Sequence, residues 1–171
     1  IRDSLATWQR GAALRAPQTA DSSWAYLARA IIEEQLARLP DEDAPPHWWT
    51  AISFAEQALL FAPDAPRWAR LAAFYRYLDA NFNALHAAER ASAHDPDDRS
   101  TDDFLFGLQE QAGALINIGR YEEAESLLDT LIAESSPESA AIYQSWRAVI
   151  CHYQRRFDEG LALVQPQIEA D

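Results

Sequence analysis

Trp68-Ala69-Arg70-Leu71-Ala72-Ala73-Phe74-Tyr75, followed by Ala84, Ala91 and Pro96, decides how the rest of the chain reads. Apolar residues fall at Trp68, Leu71, Ala72, Tyr75 and Leu78, the spacing of one face of an α-helix. A large residue beside a small one on that face lets a second helix approach closely at that turn, so the pattern specifies a helix hairpin. The same spacing returns in Trp24-x2-Leu27-Ala28-x2-Ile31, Leu108-x2-Gln111-Ala112-x2-Leu115 and Gln144-x2-Arg147-Ala148-x2-Cys151. An alanine holds the same place each time, the mark of a repeated unit that buries its face against its neighbours.

Composition agrees with a helical array. The 171 residues are 49% apolar and 11% aromatic, enough for a sizeable core, and Ala, Leu, Glu and Arg, all strong helix formers, far outnumber the 5 glycines. The class is all-α. All 14 basic residues are arginine, which with the alanine excess points to a GC-rich bacterial genome; the absence of any Met points to a segment of a longer or processed protein. The longest apolar runs are near five residues, as in Ala58-Leu59-Leu60-Phe61-Ala62, far short of the ~20 that cross a bilayer.

Net charge is -13 and unevenly spread: residues 1–94 carry 11 acids against 9 arginines, residues 95–171 carry 16 against 5. Such a field repels nucleic-acid phosphates and anionic lipid, and it favours a basic or neutral partner for the second half. The compartment stays open between cytoplasm and periplasm, the cytoplasm slightly preferred. The lone Cys151 lies in an apolar stripe and reads as core.

Taken in order, residues 1–16 form a helix stopping at Pro17, the second half of a preceding unit. A helix from Asp21 or Ser22 to about Leu39 turns Trp24, Leu27, Ala28, Ile31 and Leu39 inward. Pro40-Asp41-Glu42-Asp43-Ala44-Pro45-Pro46 is a loop insertion. Helices over about 46–62, 66–79, 82–94, 102–118, 121–134, 137–154 and 157–168 complete nine, with Phe82, Leu85, Ala88 and Ala91 inward on the one over 82–94. Ser100 and Ser136 are caps, and Gly119 ends a helix in the left-handed conformation.

On these residues the chain resembles the tetratricopeptide repeat family, whose unit carries W-x2-L-G-x2-Y, then Ala, later Ala and Pro. Trp68, Leu71, Ala72, Tyr75, Ala84, Ala91 and Pro96 match it, as do Gly119, Tyr121 and Ala124; Phe157 is kept, and Gly160 stands in the alanine place. The resemblance implies a right-handed α-α superhelix filling one domain, 1–171. Its repeats are about 18–63, 64–96, 97–136 and 137–171, four hairpins after the leading helix.

The resemblance also implies a concave groove, lined by the first helix of each pair, that takes a peptide or partner protein. By alignment its contacts are Arg29, Arg76, Tyr77, Gln109, Asn117, His152 and Tyr153, in a mixed lining with few charges. The carboxylate clamp some family members use is not reproduced, since Ala25, Arg29, Ala69, Ala73, Gln109 and Gly113 stand in its places. Trp48 and Trp49, adjacent on a helix, cannot both face one core stripe; one packs under the acidic loop and the other is an exposed anchor.

No metal, cofactor or enzyme signature is present. Acids alternate through Asp95-Pro96-Asp97-Asp98-Arg99-Ser100-Thr101-Asp102-Asp103, but Arg99 stands where a calcium loop needs an oxygen ligand and Ser100 where it needs Gly. His47, His86, His94 and His152 lack zinc spacing. Glu33-Glu34 and Glu122-Glu123 read as solvated faces. The expected function is a protein-binding scaffold, through the groove or the acidic C-terminal face; a sensor or regulatory module of a larger signalling, transcription-regulatory or envelope-assembly protein is the alternative.

Overall fold

The computed structural model describes residues 20–39, 44–94 and 102–169. The helix expected over 1–16, the acidic stretch at 40–43 and the Ser100 cap lie outside them. Eight helices follow one another: α1 (Ala20–Ala37), α2 (Ala44–Phe61), α3 (Ala65–Tyr77), α4 (Asn81–His94), α5 (Asp102–Asn117), α6 (Tyr121–Glu134), α7 (Pro137–Tyr153) and α8 (Phe157–Ile168). No strand occurs among the described residues, so the fold is all-α. Every helix packs on its sequence neighbours, and α3 also packs on α5, the arrangement of a repeat-like stack.

Local chemistry sets the starts. Asp64 accepts from the Arg67 amide at 3.2 Å ahead of α3, and Ser136 accepts from the Ser139 amide at 3.4 Å ahead of α7. Pro66 and Pro137 sit in the first turns, where a missing amide costs nothing. The same holds for Pro45 and Pro46, which is why α2 begins at Ala44, earlier than their loop-like reading suggests.

Three hairpins close with one turn. The Ala80 amide donates to the Tyr75 carbonyl (2.9 Å) and the Asp79 amide to that of Arg76 (3.0 Å). Arg120 to Leu115 (2.9 Å) with Gly119 to Ile116 (3.1 Å), and Arg156 to Cys151 (2.7 Å) with Arg155 to His152 (3.0 Å), repeat the pair. Each is the six-to-one and five-to-two pattern that satisfies the carbonyls at a helix end. It needs a left-handed residue, and Asp79 (φ 55°), Gly119 (φ 80°) and Arg155 (φ 61°) occupy that place. Tyr75, Leu115 and Cys151 are the residues that the sequence spacing aligns, so turn and pattern share one register.

Close approach follows. Ala72, Ala84, Ala112 and Ala124 are wholly buried. A Cβ built on Gly160 would lie 3.2 Å from the Cys151 Cβ and 3.3 Å from the Ala148 carbonyl oxygen, so α8 meets α7 at the aligned alanine. Two apolar clusters result, one around Trp48, Ile52, Leu71 and Phe74, the other around Leu108, Leu115, Leu128 and Ile150; α4 contributes to both. Cys151 is buried, as expected.

Two inward assignments are corrected. Trp24 is 61% exposed, and the buried stripe of α1 is Ser23, Leu27, Ala30, Glu34 and Ala37, with Ala28, Ile31 and Leu39 only partly covered. Ser23 and Glu34 are polar, which hides the stripe from a hydrophobicity reading; Ser23 Oγ is satisfied by donating to the Ala58 carbonyl at 2.8 Å. Phe82 is 75% exposed. It lies with Leu60 on the rim of an apolar cavity of about 510 Å³ between α2, α3 and α4, lined also by Leu59, Trp68 and Leu71.

Candidate partner-binding surface

α3, α5 and α7, the first helices of successive hairpins, meet around a cavity of about 230 Å³ lined by Arg76, Gly113, Ile116, Asn117, Trp146 and Val149. Gly113 makes room for it: a Cβ there would lie 3.1 Å from Arg76 Cδ and 3.5 Å from the Trp146 ring. Val149 and Asn117 are exposed at the rim.

Arg76 is anchored from below. Its Nε donates to Glu110 Oε2 at 2.7 Å and its Nη2 to Oε1 at 3.2 Å, a two-pronged pair from α3 to α5. Glu110 is 1% exposed. Burial opposes the charge on Arg76, but the hydrogen bond and charge of Glu110 outweigh it and hold the guanidinium above the ordinary arginine range. The pair joins consecutive hairpins and leaves Arg76 fixed rather than free to swing.

Tyr77 belongs to an aromatic stack. Its ring lies 4.6 Å from that of Trp48, which itself lies 6.1 Å from Phe74, and its hydroxyl accepts from Arg38 Nη2 at 2.5 Å. The Arg38 guanidinium sits 4.6 Å, and that of Arg76 5.4 Å, from the Tyr77 centroid. Arg38 Nη2 also donates to Glu34 Oε1 at 2.8 Å, and Arg70 Nη1 lies 3.5 Å from Glu34 Oε2 with its guanidinium 5.1 Å from the Phe106 centroid. Arg38, Arg70 and Arg76 thus form one connected set above two buried glutamates.

The remaining assigned residues divide. Asn117 lines the cavity and donates to Asn81 Oδ1 at 2.9 Å. Gln109 accepts from the Tyr143 hydroxyl at 3.0 Å and borders a second, more polar opening of about 400 Å³ between α5 and α7. Tyr153 stacks on Tyr121 at 5.9 Å, and His152 meets Phe157 edge-on at 5.7 Å, so both pack along the α7–α8 turn and neither lines the Arg76 cavity.

Arg29 is nine residues from Arg38, half a turn away on the helix, and faces the other flank of α1. There its Nε lies 3.3 Å from Glu33 and its guanidinium 5.0 Å from the Phe54 centroid. It is corrected out of the Arg76 group. The adjacent tryptophans divide into one buried and one exposed, as expected: Trp48 is covered against Phe74 and Tyr77, and Trp49 is exposed.

Glu33 and Glu34, read as a solvated face, are each 5% exposed. Glu33 takes His47 Nδ1 at 2.8 Å as well as Arg29. The cavity has one charged residue in its lining, Arg76; Glu34, Glu110, Arg38 and Arg70, beside and beneath it, were not assigned to the surface from the sequence. A signal present in the sequence is that Glu110 stands where the preceding unit carries Arg70, opposite charges at the aligned place of successive first helices.

Among the described residues no group of three or more His, Cys, Asp or Glu could hold a metal ion, and no helix is long and apolar enough to cross a membrane. No protein-family model matches the chain, and no curated protein matches it.

Proposed function

We propose that the chain is a tetratricopeptide-like right-handed solenoid serving as a protein-interaction scaffold, with no catalytic role of its own. It holds an extended peptide segment of a partner along α3, α5 and α7. One observation carries the reading: a single cavity draws its walls from three successive first helices, Arg76 from α3, Gly113, Ile116 and Asn117 from α5, Trp146 and Val149 from α7. A side chain seated there would be read by an apolar wall, an indole and a fixed guanidinium at once, which is how grooves combine affinity with register. The identical turns at Asp79, Gly119 and Arg155 support the repeat part of the reading.

The test is selection of a random displayed-peptide library on the protein, followed by affinity measurement on Val149→Trp, which fills the cavity from its exposed rim. Selected peptides are expected to lose roughly tenfold or more in affinity while the circular dichroism spectrum is unchanged. Retained affinity, or no enrichment at all, would overturn the assignment.

A further inference from the structure

Three arginines on this surface share one construction. Arg38 is held by buried Glu34 and lies over the Tyr77 ring; Arg70 reaches the same Glu34 and lies over Phe106; Arg76 is held by buried Glu110 and lies over Tyr77. In each case the carboxylate is beneath and the cation above it: side-chain exposure is 44% for Arg38, 35% for Arg70 and 21% for Arg76, against 6% for Glu34 and 2% for Glu110. A ligand approaching from solvent meets guanidinium first and the compensating charge only through it.

A guanidinium has five N–H donors in a planar fork. Among the described residues Arg38 meets Glu34 and Tyr77 through Nη2, and Arg70 meets Glu34 through Nη1, which leaves the other N–H groups of each fork for a further acceptor. Ring and carboxylate together fix each fork's plane, which removes much of the rotamer entropy an arginine ordinarily loses on binding. The group carries three positive charges over two negative ones; its arginines and Glu34 lie where acids and arginines nearly balance, 11 against 9, while Glu110 lies beyond residue 94.

Building on the peptide-binding reading above, we propose that Arg38, Arg70 and Arg76 form a braced ladder that reads carboxylate side chains, and that the peptide this surface takes is acidic. A carboxylate matches the fork in two-pronged fashion, which a neutral amide cannot do with equal strength. The braces also separate this site from a simple basic patch: removing a brace adds net positive charge while loosening the fork.

Three fluorescein-labelled peptides of equal length, alternating Leu with Glu, Gln or Lys, test this by fluorescence anisotropy on the whole chain. The Glu peptide is expected to bind roughly tenfold or more tighter than the Gln peptide, with the Lys peptide weaker still. Arg70→Lys, which keeps the charge and loses the fork, and Glu34→Gln, which adds net positive charge and loses the brace, are both expected to weaken the Glu peptide. Equal binding of Glu and Gln peptides, or tighter binding of the Glu peptide to Glu34→Gln, would overturn the ladder. So would wild-type affinity in Arg70→Lys, the variant that decides the matter if Glu34→Gln fails to fold. The library selection on Val149→Trp judges the underlying peptide-binding reading separately, because it places no requirement on peptide charge.

Discussion

Arg76 on α3 donates two hydrogen bonds to Glu110 on α5, a carboxylate with almost no exposure lying 34 residues further along the chain. Both prongs cross from one hairpin to the next, so the pair acts as an interhelical tie as well as a wall of the cavity. Breaking a buried pair from one side leaves a desolvated charge without a partner, and the cost then exceeds what the intact pair contributes.

Arg76→Ala is accordingly expected to lower unfolding free energy in urea by about 3 to 5 kcal/mol, the range for an uncompensated buried charge. The double change Arg76→Met with Glu110→Leu should recover most of that loss. A loss below about 1 kcal/mol for the single variant would show that Glu110 finds water instead.

Asp79 and Arg155 take the left-handed conformation that Gly119 supplies without a Cβ penalty, at the same place in the turn. Arg155→Gly should therefore stabilise by about 1 kcal/mol, and Gly119→Ala should destabilise by a similar amount. Thermal unfolding of the two variants checks both signs; a lower midpoint for Arg155→Gly would mean that its side chain holds the turn.

Burial pushes the Cys151 thiol up from its ordinary range, so at neutral pH it is both protonated and covered. Its reaction with an aromatic disulfide reagent should be limited by opening of the α7–α8 hairpin and should accelerate with sub-denaturing urea. Rapid reaction in buffer alone would contradict the close approach of Gly160 to Cys151.

Burial and a 2.7 Å hydrogen bond to Glu56 push the Tyr75 phenol up to about 12. A folded-state value above the unfolded one, near 10, favours the protonated folded form. The stabilisation is complete below pH of about 10 and is lost as pH rises through about 12. Tyrosinate absorbance should therefore show a late-titrating tyrosine, absent in Tyr75→Phe, whose stability should fall less steeply in that window.

Helices and hairpin register were legible because large and small apolar residues recur at fixed spacing, and the turn that closes each hairpin falls on the aligned Tyr75, Leu115 and Cys151. The cavity was legible where alignment sufficed: Arg76 and Asn117 line it, and Tyr77 lies beside Arg76. It was not legible where burial is polar. Glu34 and Glu110 look solvated in a hydrophobicity reading, because what makes them buried is a partner on another helix. Trp24 failed for the converse reason: it has the bulk of a core residue, but the stripe of α1 runs through Ser23 and Glu34, and the Arg67 guanidinium lies 4.3 Å from its ring centroid.

The claim that α3, α5 and α7 hold a peptide is tested most directly by amide and indole chemical shifts of isotope-labelled protein titrated with a library-selected peptide. Shifts are expected at Gly113, Asn117, Val149 and the Trp146 indole, saturating together. Shifts confined to the second helices of the hairpins, α2, α4 and α6, with the Trp146 indole unmoved, would contradict it.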